Sequence, residues 1–174
     1  GAVFIGYHAK AGHEGGFLAH TGSGSVKGLW VNGVEVGEGG MNALFAGSLG
    51  VPVILASGDQ AFSDEFTELT GAPVVVTKDA IGSSAARLRS PERVLEELDR
   101  AAREAVVGLD AEAGGMSVTE PVVVRMRFAT NTRAYILEAI PGVERIDGYT
   151  VEFPAETMAE AYELIRLAYR FIRW

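Results

Sequence analysis

The sequence predicts an α/β fold, with a mixed or mostly parallel sheet flanked by helices. Three observations carry that reading. Apolar runs of strand length alternate with longer stretches of helical period along the chain. Several of those runs, residues 51–56 among them, contain no polar side chain, as strands covered on both faces do. Asn32-Gly33 between two short apolar segments marks a β-hairpin around Trp30 to Val36, because Asn-Gly supplies the positive φ angles of a type I′ turn.

Residues 2–5 are fully apolar and end at Gly6, which predicts a buried strand with His8 just past its end. In open α/β sheets ligands gather beyond the carboxyl ends of strands, so His8 stands at a favourable address. Residues 9–25, rich in Gly, Ser and Thr, read as a loop long enough to be functional, and they carry His13 and His20. The hairpin follows, and Glu38 comes just after its second strand. Residues 41–49 have helical composition, ended by Gly50 and Pro52, and 51–56 form the next buried strand. Residues 60–69 read as a short amphipathic helix, 73–77 as an apolar strand, and 81–89 as a polar connection or weak helix.

Ser90-Pro91 opens a helix whose face repeats Val94, Leu98, Ala101 and Ala105. Residues 111–120, with Gly114-Gly115, read as a flexible linker. Val122, Val124, Met126 and Phe128 then alternate with Val123, Arg125 and Arg127, the period of a strand with one solvated face. Residues 130–139 have helical character, stopped by Pro141-Gly142, and 149–153 form a last strand. Pro154 opens the final helix, with Met158, Ala161, Ile165, Ala168 and Ile172 along one face.

At 174 residues, with 48% hydrophobic and 22% charged residues, the chain reads as one soluble α/β region with a genuine core. The net charge of −8 works against nucleic-acid binding, which needs Lys and Arg to neutralise phosphates. Cysteine is absent, so there are no disulfides or thiolate ligands, and any metal must be held by nitrogen and oxygen. No apolar run has the length to span a membrane, and the start carries no signal-type pattern, which makes cytoplasmic the default expectation. Neither a P-loop nor a GxGxxG between strand and helix occurs.

Three residues then stand out. His8, His20 and Glu38 fall within 31 residues of one another, each in glycine-containing sequence beside an apolar run. Imidazole and carboxylate are the ligands of open zinc sites, and two His with one Glu leave a position for water. The alternative is a pair of hydrogen-bonded structural histidines and a solvated glutamate, one of 23 acidic residues. Gly37, Gly39 and Gly40 beside Glu38 favour a site, since they let the backbone approach something closely. His13, in the polar middle of its loop, reads as structural. Ser23 and Ser25 lack the spacing of a nucleophile elbow, and Arg125, Arg127 and Arg133 read as a solvated face rather than an anion site.

The stretches GYHAK, AHTGSG, WVNGVEVGEGGMNA, GVPVILASGD and EFPAETMAEAY, in this order, resemble the bacterial zinc-dependent D-aminopeptidases of the dipeptide-transport operon type. The resemblance covers essentially the whole chain. It implies a dinuclear zinc (Zn2+) aminopeptidase that acts on short peptides with an N-terminal D-residue such as D-alanine. Carried over by position, His8 and Glu38 would be zinc ligands and His20 the catalytic histidine. The loop before His20 is one residue longer here than the family pattern.

The family assembles into rings, so a homo-oligomer is implied. It also draws ligands from an N-terminal segment bearing Asp-x-Glu and a further histidine, which this sequence does not contain. The expectation is therefore the C-terminal part of a longer enzyme, completed by an N-terminal segment or a second chain. Two rivals remain open: a mononuclear site with His8, His20 and Glu38 all as ligands, and a non-catalytic folded or oligomerising part.

Overall fold

The computed structural model describes residues 1–109 and 115–170. Its elements run β1 (Ala2–Tyr7), β2 (Val26–Val31), β3 (Val34–Glu35), α1 (Glu38–Ser48), β4 (Val53–Asp59), α2 (Gln60–Thr70) and β5 (Val74–Gly82). There follow β6 (Ala85–Leu88), α3 (Pro91–Val107), β7 (Val122–Phe128), α4 (Asn131–Leu137), β8 (Glu144–Arg145), β9 (Thr150–Ala155) and α5 (Met158–Arg170).

The α/β class is the one the alternation predicts, but among the described residues the strands divide between two sheets. One has the order β1-β4-β5-β6, with β1, β4 and β5 parallel and β6 antiparallel. The other has the order β3-β2-β7-β9-β8 and is antiparallel throughout. The expected hairpin is there, with Asn32 and Gly33 at φ 48° and 82° between β2 and β3.

Each sheet has its own core. Phe62, Phe66, Ala43, Ala56 and Ala72 pack on the parallel sheet, with Phe4 and Tyr7 against them. Met126, Phe128, Val151, Phe153, Met158 and Ile165 form the second core with Met41 and Leu44. Helix α1 therefore contributes to both, Ala43 to one and Met41 and Leu44 to the other. That sharing places its first residue, Glu38, at the junction of the two sheets. A Cβ on Gly39 would stand 2.6 Å from the Phe62 ring, so the glycines around Glu38 serve the close approach of α1 to α2.

Four expectations change. Strand β1 is not buried on both faces: Val3 and Ile5 are 43% and 61% exposed, because among the described residues the aromatic core packs on its Phe4 and Tyr7 side. Residues 81–89 are neither a connection nor a helix but the end of β5 and its hairpin partner β6, in the register Lys78↔Leu88 and Asp79↔Arg87. Their polarity fits strands at a sheet edge, where one side meets water. Pro154 lies in β9 and does not open α5. It is tolerated because β8 pairs with β9 at Val151 and Glu152, leaving the position beyond without a strand partner on that side among the described residues. Arg133 is 7% exposed in α4, not on a solvated face.

Of the expected linker, residues 111–114 lie outside the described residues, as does Ile172 of the last helix. Beyond 114 the chain lies against the fold. Met116 packs on both cores, Asn32 Nδ2 donates to the Thr119 carbonyl at 2.7 Å, and Glu120 accepts from Met158 N–H at 3.0 Å. No helix among the described residues is long and apolar enough to cross a membrane.

Candidate functional site

Three pieces of chain converge at the carboxyl end of β1. His8 follows that strand directly, His20 lies in the loop between β1 and β2, and Glu38 begins α1. His8 Nε2 stands 3.0 Å from Glu38 Oε2, and His20 Nε2 3.5 Å from the same oxygen. The two imidazoles stack at 3.9 Å with 16° between their planes. One donor atom from each residue falls within 4.8 Å of the others.

The loop owes its shape to a few anchors. The Ala9 carbonyl accepts from His8 Nδ1 at 3.1 Å and from the His20 backbone N–H at 3.3 Å, which fixes the two histidines relative to each other. The Leu18 carbonyl accepts from His20 Nδ1 at 2.7 Å. Asp59, fully buried at the end of β4, uses both oxygens: one accepts from Phe62 N–H at 2.9 Å and caps α2, and the other accepts from Phe17 N–H at 2.7 Å and pins the loop. Thr21 Oγ1 adds a bond from Ala11 N–H at 3.1 Å.

These anchors decide the tautomers. A carbonyl only accepts, so each Nδ1 carries a proton, and the neutral rings then present bare Nε2 lone pairs. Both lone pairs face one oxygen of a carboxylate, which also only accepts. Two lone pairs and an anion repel unless a cation or protons lie between them. The donor set, with each histidine held at Nδ1 by a backbone carbonyl, therefore fits a divalent cation such as zinc. Without a metal a proton does the same work. The Glu38 hydrogen bond raises the His8 imidazole above its usual range against the effect of burial. Burial pushes the Glu38 carboxyl up, but the His8 hydrogen bond and the charges of His8 and His20 outweigh it and hold the group below its ordinary value.

The other sequence candidates stay apart. His13 Nδ1 accepts from Gly15 N–H within its own turn, at 3.2 Å. Ser23 and Ser25 bond to each other at 2.6 Å. Arg125 pairs with Glu152 on the outer face of the antiparallel sheet, 2.7 Å apart. Sequence reasoning did not single out Tyr7 and Asn42, which border the triad: the Tyr7 hydroxyl accepts from Asn42 Nδ2 at 2.8 Å. The signal was present, since Asn42 stands four residues after Glu38 and so on the same helix face. Burial pushes the Tyr7 hydroxyl up, and the Glu38 charge adds to that.

Comparison with known proteins gives three concordant matches. A family model described as Peptidase_M55, D-aminopeptidase, matches residues 1–167. A curated D-aminopeptidase from Bacillus subtilis (strain 168) is 34% identical over 167 residues, which is 94% of this chain and 60% of the relative. The solved structure described as the Zn-dependent D-aminopeptidase DppA from Bacillus subtilis, a self-compartmentalizing protease, superposes with a TM-score of 0.89 at 30% identity. It is matched by all of this chain, which covers 65% of that structure's chain. The chain thus spans less than two thirds of the length of either relative. With that span, that identity and a common fold, the chain belongs to the D-aminopeptidase family Peptidase_M55.

Proposed function

We propose that the protein is a zinc-dependent aminopeptidase that hydrolyses the N-terminal peptide bond of short peptides beginning with a D-residue such as D-alanine. In this reading His8 and Glu38 hold metal and His20 takes part in the chemistry. The observation that carries it is the convergence of two Nδ1-anchored imidazoles on one carboxylate oxygen. Zinc in such a site polarises a scissile carbonyl and lowers the pKa of water. His8 and Glu38 are the more enclosed pair, with side chains 21% and 24% exposed, as suits ligands. The His20 side chain is 38% exposed, and in this reading its Nε2, oriented by the Nδ1 bond to Leu18, would take a proton from the attacking water and return it to the leaving amine.

Two ligands are fewer than a zinc site needs, so the remaining ligands of a dinuclear centre come from outside this chain, on an N-terminal segment or a second chain. The zinc dependence of the Bacillus subtilis relative and the family membership support the metal, and that relative's being a self-compartmentalizing protease supports a homo-oligomer. A cytoplasmic location belongs to the same proposal.

One observation favours the mononuclear alternative: each of the three side chains offers a ligand atom, and these atoms all lie within 4.8 Å of one another. His20→Ala separates the two readings when zinc content and cleavage of D-alanyl peptides are measured on the same preparation. Retained zinc with lost turnover supports the proposal, and lost zinc supports the mononuclear site. Full activity in the variant overturns both. No zinc and no turnover in the unsubstituted full-length protein would leave the non-catalytic reading.

A further inference from the structure

Tyr7 precedes His8 at the end of β1, and packing fixes its ring. It stacks on Phe4 at 4.9 Å and on Phe62 at 5.4 Å, so its hydroxyl cannot wander. That hydroxyl accepts from Asn42 Nδ2 at 2.8 Å, and Asn42 Oδ1 accepts from the Tyr162 hydroxyl at 3.0 Å. Tyr162 is itself held by stacking on Phe45 at 4.1 Å. The bonds therefore run one way, from α5 through α1 to β1, and the chain ends on the Tyr7 O–H. A phenol has one proton to donate, and no acceptor for it occurs among the described residues.

The open end faces the triad. Glu38 and Asn42, one turn apart on α1, present a carboxylate to His8 and an amide to Tyr7 from a single helix face. Between them lies a cavity of about 190 Å³ lined by Ile5, Gly6, Tyr7, His8, Glu38 and Asn42. A half-buried hydroxyl whose proton has no acceptor is costly unless water or a ligand completes it.

We propose that Tyr7 is a further catalytic residue of this site, its O–H donating to the carbonyl oxygen of the scissile peptide bond. The inference rests on the peptidase function proposed above. The bond strengthens as that oxygen gains negative charge, so its benefit appears in turnover more than in substrate binding. Tyr162 and Asn42 are positioning residues that leave the Tyr7 proton as the free one.

Tyr7→Phe in the zinc-loaded full-length protein is the test, because it keeps the stacked ring and removes only the hydroxyl. Turnover of a D-alanyl dipeptide should fall about 100-fold in kcat with KM little changed, as for loss of one donor to a developing oxyanion. Affinity for a phosphinic analogue of that dipeptide should fall with it, while zinc content, Tm and affinity for D-alanine stay as in the unsubstituted protein. Tyr162→Phe should lower kcat in the same sense by a smaller factor, and it decides the matter if Tyr7→Phe does not fold. A kcat/KM within twofold of the original, or a loss that tracks zinc content or Tm, overturns the inference. If the unsubstituted protein neither holds zinc nor cleaves, the proposed function falls and this inference with it. An active protein indifferent to Tyr7→Phe sinks this inference alone.

Discussion

Replacing Glu38 by Gln removes the only anion in the triad while keeping the size of the side chain and the start of α1. Both histidines face its Oε2, at 3.0 and 3.5 Å, so the change alters the metal set at its centre. Loss of a ligand weakens metal binding at least as much as loss of the group behind one, about 10- to 100-fold. At a zinc concentration 100 times the original Kd, bound metal stabilises the fold by about 2.7 kcal/mol. With Kd raised 100-fold the same concentration equals Kd, and the same relation leaves about 0.4 kcal/mol. The difference, about 2.3 kcal/mol, corresponds to about 5–9 °C in Tm for a protein of roughly 150–250 residues, and to somewhat less in the longer full-length protein that would hold the zinc. Thermal unfolding of both proteins with and without zinc gives the two shifts directly. An equal zinc-induced rise in Tm for Glu38→Gln and the original would refute a ligand role for this carboxylate.

Two further outcomes follow from two carboxyls that bond the loop after β1, the buried Asp59 and the half-buried Glu65. Asp59 accepts from Phe17 and Phe62 N–H with separate oxygens, so Asp59→Asn must leave one donor unmatched; stability should drop by about 1–3 kcal/mol, and an unchanged urea midpoint contradicts the anchoring role. For Glu65, burial pushes the carboxyl above its ordinary 4.5, despite the bond it accepts from Lys10 N–H at 3.1 Å. A raised carboxyl contributes stability that is full below the unfolded value and is lost as pH rises through the folded one. Glu65→Gln stays neutral and escapes that loss, so its stability relative to the original should improve from pH 4 to pH 7, as urea unfolding at the two pH values would register. A relative decline over that range would contradict the sign.

Legible in the sequence were the class of the fold and the three residues that the structure brings together at the end of β1. Strand and helix periods are local, so α/β alternation, the Asn32-Gly33 hairpin and the face of α5 are legible in the sequence. His8, His20 and Glu38 stood out because imidazole and carboxylate are ligand types of open zinc sites and each lies in glycine-containing sequence beside an apolar run, and the family resemblance implies their roles. The tertiary structure alone decided what depends on partners distant in the chain. The division into two sheets and the hairpin at residues 81–89 follow from strand pairing, and the exposed face of β1 from the packing of the aromatic core on its other side; neither leaves a mark in composition. The same holds within the site: only folding brings Ala9 and Leu18 carbonyls to the two Nδ1 atoms, turns both Nε2 atoms on one oxygen, and runs a hydrogen-bond chain from Tyr162 to Tyr7. Sequence names the groups that can bind or transfer a proton, and packing fixes which atom of each faces which.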